Sequence, residues 1–142
     1  NGQGTCYNGC GFVQVSSTVR AGMALQAGTS ATFGLRYYSG NWWVLYNNTW
    51  FGYFPGSLWG GAFTSANSVS AFGEVAADKA PSCTDMGDGA YGSSGGASWI
   101  SNFQLYGAGS APRFTVKSTD PSYYNSGSVT ATSFTLGGPG AC

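Results

Sequence analysis

Short segments of alternating apolar and polar residues, separated by turn residues, dominate this chain, and almost nothing in it has helical periodicity. Alternation with a period of two is typical of a β-strand that buries one face. Such segments can be read at 12–20, 31–38, 41–46, 49–54, 68–77, 99–106, 113–117 and 129–136. The pattern therefore predicts an all-β fold, an antiparallel β-sandwich of about eight short strands joined by Gly/Ser-rich loops.

The region from 31 to 54 gives the clearest local prediction. Ser39-Gly40 and Asn47-Asn48 are turn dipeptides that separate three of the alternating segments, which predicts three consecutive antiparallel strands. Residues 55–64 interrupt the alternation and are expected to contain one short helical turn. Because no shift in composition marks a boundary, residues 1–142 are predicted to form a single domain.

The scarcity of charge excludes several functions. Charged residues make up 7% of the chain, the formal net charge is zero, and there is no histidine. Five scattered cations cannot form the basic surface that a nucleic acid requires, and histidine-dependent catalysis and zinc sites are unavailable. We expect no nucleic-acid partner, no metal and no cofactor. No apolar run is long enough to span a membrane, and the low net charge permits self-association.

Four cysteines, at positions 6, 10, 83 and 142, allow three disulfide pairings. The Asn8-Gly9 turn dipeptide lies between Cys6 and Cys10, so a small ring closed by these two is sterically reasonable. That pairing leaves Cys83 with Cys142. Two disulfides, together with low charge and many glycines, predict a secreted, extracellular protein, and a chain that starts at Asn1 without a signal segment is expected to be a processed product.

Six sequence blocks, in order along the chain, match a known family pattern. The first, CYNGCGFVQ, is similar to the Cys-Tyr-Asn-x-x-Cys-x-Gly-Phe-Val-Gln signature of the neprosin domain family. The others are GNWWVLY with WFGYFPGSLW, then FGEV, then MGDGAYGSSGGASWISNFQLY, and finally LGGPGAC. The resemblance implies a secreted antiparallel β-sandwich related to glutamic endopeptidases, which cut after proline at acidic pH.

The resemblance also implies a catalytic pair of glutamates. One maps onto Glu74, the only glutamate of this chain. The other belongs to a segment upstream of the CYN motif and has no counterpart in this chain, which begins a few residues before Cys6. The chain is thus expected to resemble the C-terminal part of the domain. It departs from the family pattern at Ala71-Phe72, where Trp-Gly is usual, and at Cys83.

The chemistry of peptide hydrolysis requires one carboxylate to activate water and a second group to stabilise the tetrahedral species. Glu74 can fill one role, and alternation places it on the same face as Phe72, which predicts an aromatic-lined groove beside the carboxylate. Gln14 is a candidate oxyanion donor. A surface location for Glu74 is the competing interpretation. Asp85 and Asp88 are interpreted as turn formers.

An aromatic cluster offers a different function. Rings on the outer face of the predicted hairpin could stack on sugars or prolines, although ordinary strand packing explains them as well. The candidate binding residues are Trp42, Trp43, Tyr46, Trp50, Tyr53 and Trp59. Asn47 also heads an N-glycosylation sequon, Asn47-Asn48-Thr49.

These observations favour a secreted, non-catalytic β-sandwich that associates with itself through sheet edges or binds an extracellular protein or glycan. The alternative is the catalytic C-terminal part of a proline-directed glutamic peptidase that uses Glu74. A carbohydrate-binding module is the third hypothesis.

Overall fold

A computed structural model describes residues 9–107, 109 and 111–142. These residues contain seven β-strands, and every strand pairing is antiparallel. The strands are β1 (Val13–Gln14), β2 (Phe33–Tyr38), β3 (Asn41–Tyr46), β4 (Thr49–Pro55), β5 (Ser98–Ile100), β6 (Asn125–Val129) and β7 (Phe134–Gly137). The predicted antiparallel all-β class is confirmed.

The chain divides into two compact units, 1–69 and 70–142, and each contains one sheet. The first unit holds a four-stranded sheet in the order β1-β4-β3-β2, and the second a three-stranded sheet in the order β5-β7-β6. That all 142 residues form a single sandwich domain stays a prediction.

Two tight turns fix the strand register of the first unit. Ser39 and Gly40 have φ values of 48° and 78°, as a two-residue type I′ turn requires, and they place Tyr38 opposite Asn41. At the next turn Asn47 has a φ of 50°. Its Oδ1 accepts a hydrogen bond from the Thr32 N–H at 2.9 Å, and its own N–H donates to the Thr32 carbonyl at 2.7 Å. The predicted meander of three strands is confirmed.

The strands of the first unit pack through half-buried aromatic rings. The Phe12 ring lies 5.4 Å from that of Phe51 and 5.0 Å from that of Phe54, measured between ring centroids. Between these partners Gly52 leaves the space that the Phe12 ring occupies. A 3₁₀ turn at Gly56–Trp59, within the predicted interval, follows β4. Within 9–69 no large apolar side chain is fully buried.

The second unit has a small core around β7. Phe134, Tyr124 and Ala97 are buried, and the Phe114 ring lies 5.0 Å from that of Phe134. The Tyr124 hydroxyl donates to the Thr84 carbonyl at 2.8 Å. Because these contacts come from distant parts of the sequence, they tie the loops of this unit to the sheet.

Five predicted strands differ from the structure. The segments 12–20 and 99–106 overlap only the short strands β1 and β5. The segment 129–136 is a hairpin, since β6 ends at Val129 and β7 begins at Phe134. Hydroxyl side chains close the intervening turn: Thr130 Oγ1 accepts from the Ser133 N–H at 3.0 Å, a local bond that competes with strand extension. The segments 68–77 and 113–117 form no ladder among the described residues, although exposure still alternates along 71–76 and 112–118.

A test of the packing at the centre of the first sheet is Gly52→Ala. A Cβ at this position would overlap the Phe12 ring and lie 2.6 Å from the Val13 carbonyl oxygen, and overpacking of this kind costs about 1–3 kcal/mol. We expect that loss in denaturant unfolding followed by tryptophan fluorescence. The control Gly95→Ala adds a methyl group with no atom within 4 Å, and a comparable loss there would contradict the explanation.

Candidate functional site

Glu74 lies in an extended segment of the second unit whose orientation is set by a glycine. Gly73 approaches β7 so closely that a Cβ would lie 2.6 Å from Leu136 Cδ1 and 2.8 Å from the Met86 sulfur. Ala71, Gly73 and Val75 are half-buried, whereas the alternate residues are exposed. Because side chains of an extended chain alternate between faces, the contact of Gly73 directs Glu74 outward.

The environment of Glu74 is an open surface. Phe72, which shares its face, is 70% exposed, and Glu74 itself is exposed. Within the described part of the chain the carboxylate makes no hydrogen bond or ion pair. The carboxylate is therefore accessible to a solute, and Phe72 offers it one apolar neighbour rather than an enclosing groove.

Gln14 lies in the first unit, where its amide organises the loop that follows β1. Its Nε2 donates to the Ser16 carbonyl at 2.8 Å, and its Oε1 accepts from the Ala21 N–H at 3.4 Å. Both ends of the amide are thus used within the loop. This arrangement gives Gln14 a local structural task, and its role as an oxyanion donor stays a prediction.

The structure separates the six predicted aromatic binding residues by strand face. On one face the Trp42 ring stacks on the Phe63 ring at 5.0 Å, and its Nε1 donates to the Phe63 carbonyl at 2.8 Å. Tyr46 packs beside Phe33 on the same face, with 5.5 Å between ring centroids. Trp59, on the 3₁₀ turn, lies 5.4 Å from the Phe63 ring. These three residues take part in internal packing.

The opposite face carries a second aromatic pair. Trp43 and Tyr53 are directly opposite each other in β3 and β4, with ring centroids 4.7 Å apart. A register shift between Val44 and Leu45 places Trp50 opposite Leu45, so Trp50 shares this face. Trp43 and Tyr53 are half-buried, and Trp50 is exposed.

Two depressions on the first unit are apolar. Each has a volume of about 280 Å³; one is lined by residues that include Phe12, Phe51 and Phe54, the other by residues that include Phe33 and Tyr46. A ligand site usually combines an apolar pocket with a few convergent polar groups. Arg20 is the single charged residue along these two linings, so neither depression has the acid and base groups of a hydrolase.

The outer edge of β2 is the most exposed apolar element of the first unit. β2 is the last strand of its sheet and pairs with β3 alone among the described strands. Phe33 is 62% exposed, Leu35 67% and Tyr38 58%. The guanidinium of Arg36 lies over the Tyr38 ring, 5.1 Å from its centroid. The edge therefore presents apolar side chains together with a row of unpaired backbone groups.

The sequence did not identify β2 as a candidate site. The alternation of 31–38 predicted a strand, but strand order depends on distant pairing that local periodicity does not encode.

The cysteine prediction is confirmed where the structure describes it. Cys83 and Cys142 form a disulfide within the second unit, and Cys10 is disulfide-bonded. Cys6, the partner predicted for Cys10, lies outside the described residues. The Cys83–Cys142 bond joins the loop before Met86 to the C-terminal segment.

In the ranges that the structure covers, no group of three or more His, Cys, Asp or Glu residues could hold a metal ion. Those ranges also contain no helix that is long and apolar enough to cross a membrane.

Comparison with known proteins identifies a family. The Neprosin family model matches residues 1–139, which is nearly the whole chain. The chain therefore belongs to the Neprosin family. No curated protein and no solved structure matches it.

The exposed position of Glu74 predicts that its charge contributes little to folding. Substitutions at exposed sites without specific contacts usually change stability by less than about 0.5 kcal/mol. We expect Glu74→Gln to unfold at the same denaturant concentration as the parent chain. A loss of more than about 1 kcal/mol would reveal a buried or paired carboxylate and contradict the described geometry.

Proposed function

We propose that this member of the Neprosin family is a secreted extracellular module whose main activity is association with further copies of itself through an exposed sheet edge, rather than peptide hydrolysis. The observation that carries the proposal is the edge strand β2, which is six residues long and lacks proline and lysine. Natural proteins usually protect such edges with charges, proline, bulges or a covering segment. β2 has one charge, Arg36, and its guanidinium lies over a neighbouring ring.

Apolar burial supplies a driving force for this association. Phe33 and Leu35 are about two-thirds exposed, and complete burial of such side chains contributes roughly 1.5–3 kcal/mol each. Covering the entire exposed part of each would therefore contribute at most roughly 2 kcal/mol. The described first unit fully buries no large apolar side chain, so contact with another copy would cover apolar surface that this unit leaves exposed.

Electrostatics does not oppose the association. The chain has five basic and five acidic residues and no formal net charge. Proteins far from zero charge repel one another, whereas a neutral chain lacks this barrier. Self-association of this kind should therefore depend weakly on salt.

An extracellular location fits the same proposal. The Neprosin family and the Cys83–Cys142 disulfide both fit an extracellular protein, since disulfides persist in oxidising compartments. Secretion is part of the proposal. A durable assembly outside the cell would benefit from such cross-links.

The test of self-association is the particle mass in light scattering at increasing protein concentration. We expect masses that are multiples of 14.6 kDa and a shift toward the monomer in Leu35→Lys, because the added charge must be desolvated when the edge is covered. The matched control is Leu105→Lys, a change at an exposed leucine of the second unit outside the strands, which should associate like the parent chain. A parent chain that stays monomeric at all concentrations would overturn the proposal.

Peptide hydrolysis is the second candidate function. It is supported by family membership and by the accessible, unpaired carboxylate of Glu74. A carboxylate can activate water, but hydrolysis also needs a second group to donate a proton or stabilise the oxyanion. On this hypothesis the second carboxyl group comes from a further segment or from another chain.

This hypothesis predicts cleavage after proline at acidic pH, between about pH 2 and 6, where one carboxyl group of a pair can stay protonated. Glu74→Gln should abolish the cleavage, because an amide cannot act as a general base. Digestion of a proline-containing peptide, followed by mass spectrometry, measures it. Equal cleavage by the parent chain and Glu74→Gln would exclude Glu74 as the catalytic group.

Glycan binding is the third proposed function. Its support is the Trp43–Tyr53 pair, which is half-buried and lies on the sheet face opposite the Trp42–Phe63 stack. Aromatic faces of this kind can pack against sugar rings.

A further inference from the structure

We propose that the partner of β2 is the β2 strand of a second copy, paired antiparallel with Leu35 of one copy opposite Leu35 of the other. This inference rests on the proposed self-association and adds to it the partner strand, the register and a closed two-fold geometry. It follows from the alternation of the β2–β3 hydrogen bonds, in which every second residue of β2 bonds to β3.

The pairing with β3 determines which backbone groups of β2 face outward. In an antiparallel pair, residues alternate between positions that bond to the neighbouring strand and positions that face away from it. The two-residue turn makes Tyr38 and Asn41 a bonded pair. The Asn47 N–H donates to the Thr32 carbonyl at 2.7 Å. Thr32 and Tyr38 are an even number of positions apart, so this bond fits the same alternation at the other end of the strand.

The backbone groups of Phe33, Leu35 and Tyr37 therefore face away from β3. They comprise three N–H groups and three carbonyls, and the described residues contain no hydrogen-bond partner for them. The intervening residues, among them Gly34 and Arg36, direct their backbone groups toward β3. Only pairings that place the outward residues of the two strands opposite one another can give these N–H and carbonyl groups hydrogen-bond partners.

The possible two-fold registers differ in how many outward groups they satisfy. With Leu35 opposite Leu35, Phe33 of each copy lies opposite Tyr37 of the other, and all six outward groups of each strand are used. A register centred on Phe33 or on Tyr37 pairs part of one β2 strand with residues that lie outside β2 of the other copy. Centring on Gly34 or Arg36 leaves Tyr37 or Phe33, respectively, without a partner inside β2.

Side-chain chemistry selects the same register. Centring on Arg36 would place two guanidinium groups directly opposite each other, which is destabilising. With Leu35 at the centre, Arg36 lies opposite Gly34, which has no side chain to obstruct it. Phe33 and Tyr37 form an aromatic pair on the same face as Leu35, and cross-strand pairs of this type stabilise sheets.

The pairing closes on itself. Joining β2 to β2 gives a continuous eight-stranded sheet in which the two-residue β1 forms both outer edges. An isologous contact of this kind produces a dimer and not an open filament. Particles larger than a dimer must therefore use a second contact.

Oxidative cross-linking of variants that each carry one cysteine in addition to the four natural ones tests the register. Residues of a bonded antiparallel pair have Cα atoms about 5.5 Å apart, within the roughly 4.4–6.8 Å that a disulfide spans. Leu35→Cys should form a covalent dimer on oxidation. Arg36→Cys is the control, because its two copies are offset by two residues along the strands, and we expect on the order of tenfold less covalent dimer.

A second measurement uses mixed variants in case the Leu35 substitution disturbs the fold. Phe33→Cys and Tyr37→Cys should each stay unlinked alone and form a covalent heterodimer when mixed. Association in light scattering without these cross-links, or with preferential linking at Arg36→Cys, would overturn the register while leaving self-association intact. Absence of both association and cross-links would overturn the register and the proposed function together.

Discussion

The register of the β2–β3–β4 meander is the constraint on which the first unit depends. Two tight turns set it: Ser39-Gly40, both residues at positive φ, and the turn at Asn47, whose side chain also bonds to Thr32. Because side chains alternate strictly along a strand, a slip of one residue would exchange the two faces of the sheet. The turns thus determine which aromatic rings pack internally and which lie on the opposite face.

The same register determines the chemistry of the sheet edge. It directs one set of β2 backbone groups into the sheet and leaves the alternate set without partners among the described residues. In a chain with many charges such an edge would be protected by lysine or glutamate. In this chain the scarcity of charge and the zero net charge leave the apolar edge accessible to another copy. The composition and the hydrogen-bond pattern thus favour the same function.

In the second unit the functional candidate is the carboxylate of Glu74. Gly73 packs against Leu136 and Met86, and this contact directs Glu74 to the surface. The carboxylate is exposed and makes no hydrogen bond or ion pair within the described part of the chain. One exposed carboxylate supplies half of an acid–base pair, which is why assembly ranks above hydrolysis as the proposed function.

Local sequence patterns predicted local structure well. The turn dipeptides at 39–40 and 47–48 predicted the meander, and the break in alternation predicted the turn at Gly56–Trp59. The spacing of the cysteines predicted the Cys83–Cys142 disulfide. Each of these depends on neighbouring residues or on a small number of possible pairings.

Features that depend on distant contacts were not predictable. Side-chain exposure alternates along 71–76, within the predicted strand 68–77. Whether this segment pairs as a strand depends on a partner strand that periodicity does not identify. The edge position of β2 follows from the strand order, and the outward direction of Glu74 follows from the contact of Gly73 with β7. Local sequence patterns predict neither of them.

Hydrogen exchange of the β2 amides, resolved by residue in NMR spectra at several protein concentrations, tests the central claim most directly. If β2 pairs with a second copy, the outward amides of Phe33, Leu35 and Tyr37 gain protection as the concentration rises. The alternate amides of the same strand, bonded to β3, should be protected at every concentration. Exchange of the outward amides that is independent of concentration, in a sample that associates, would contradict pairing through this edge.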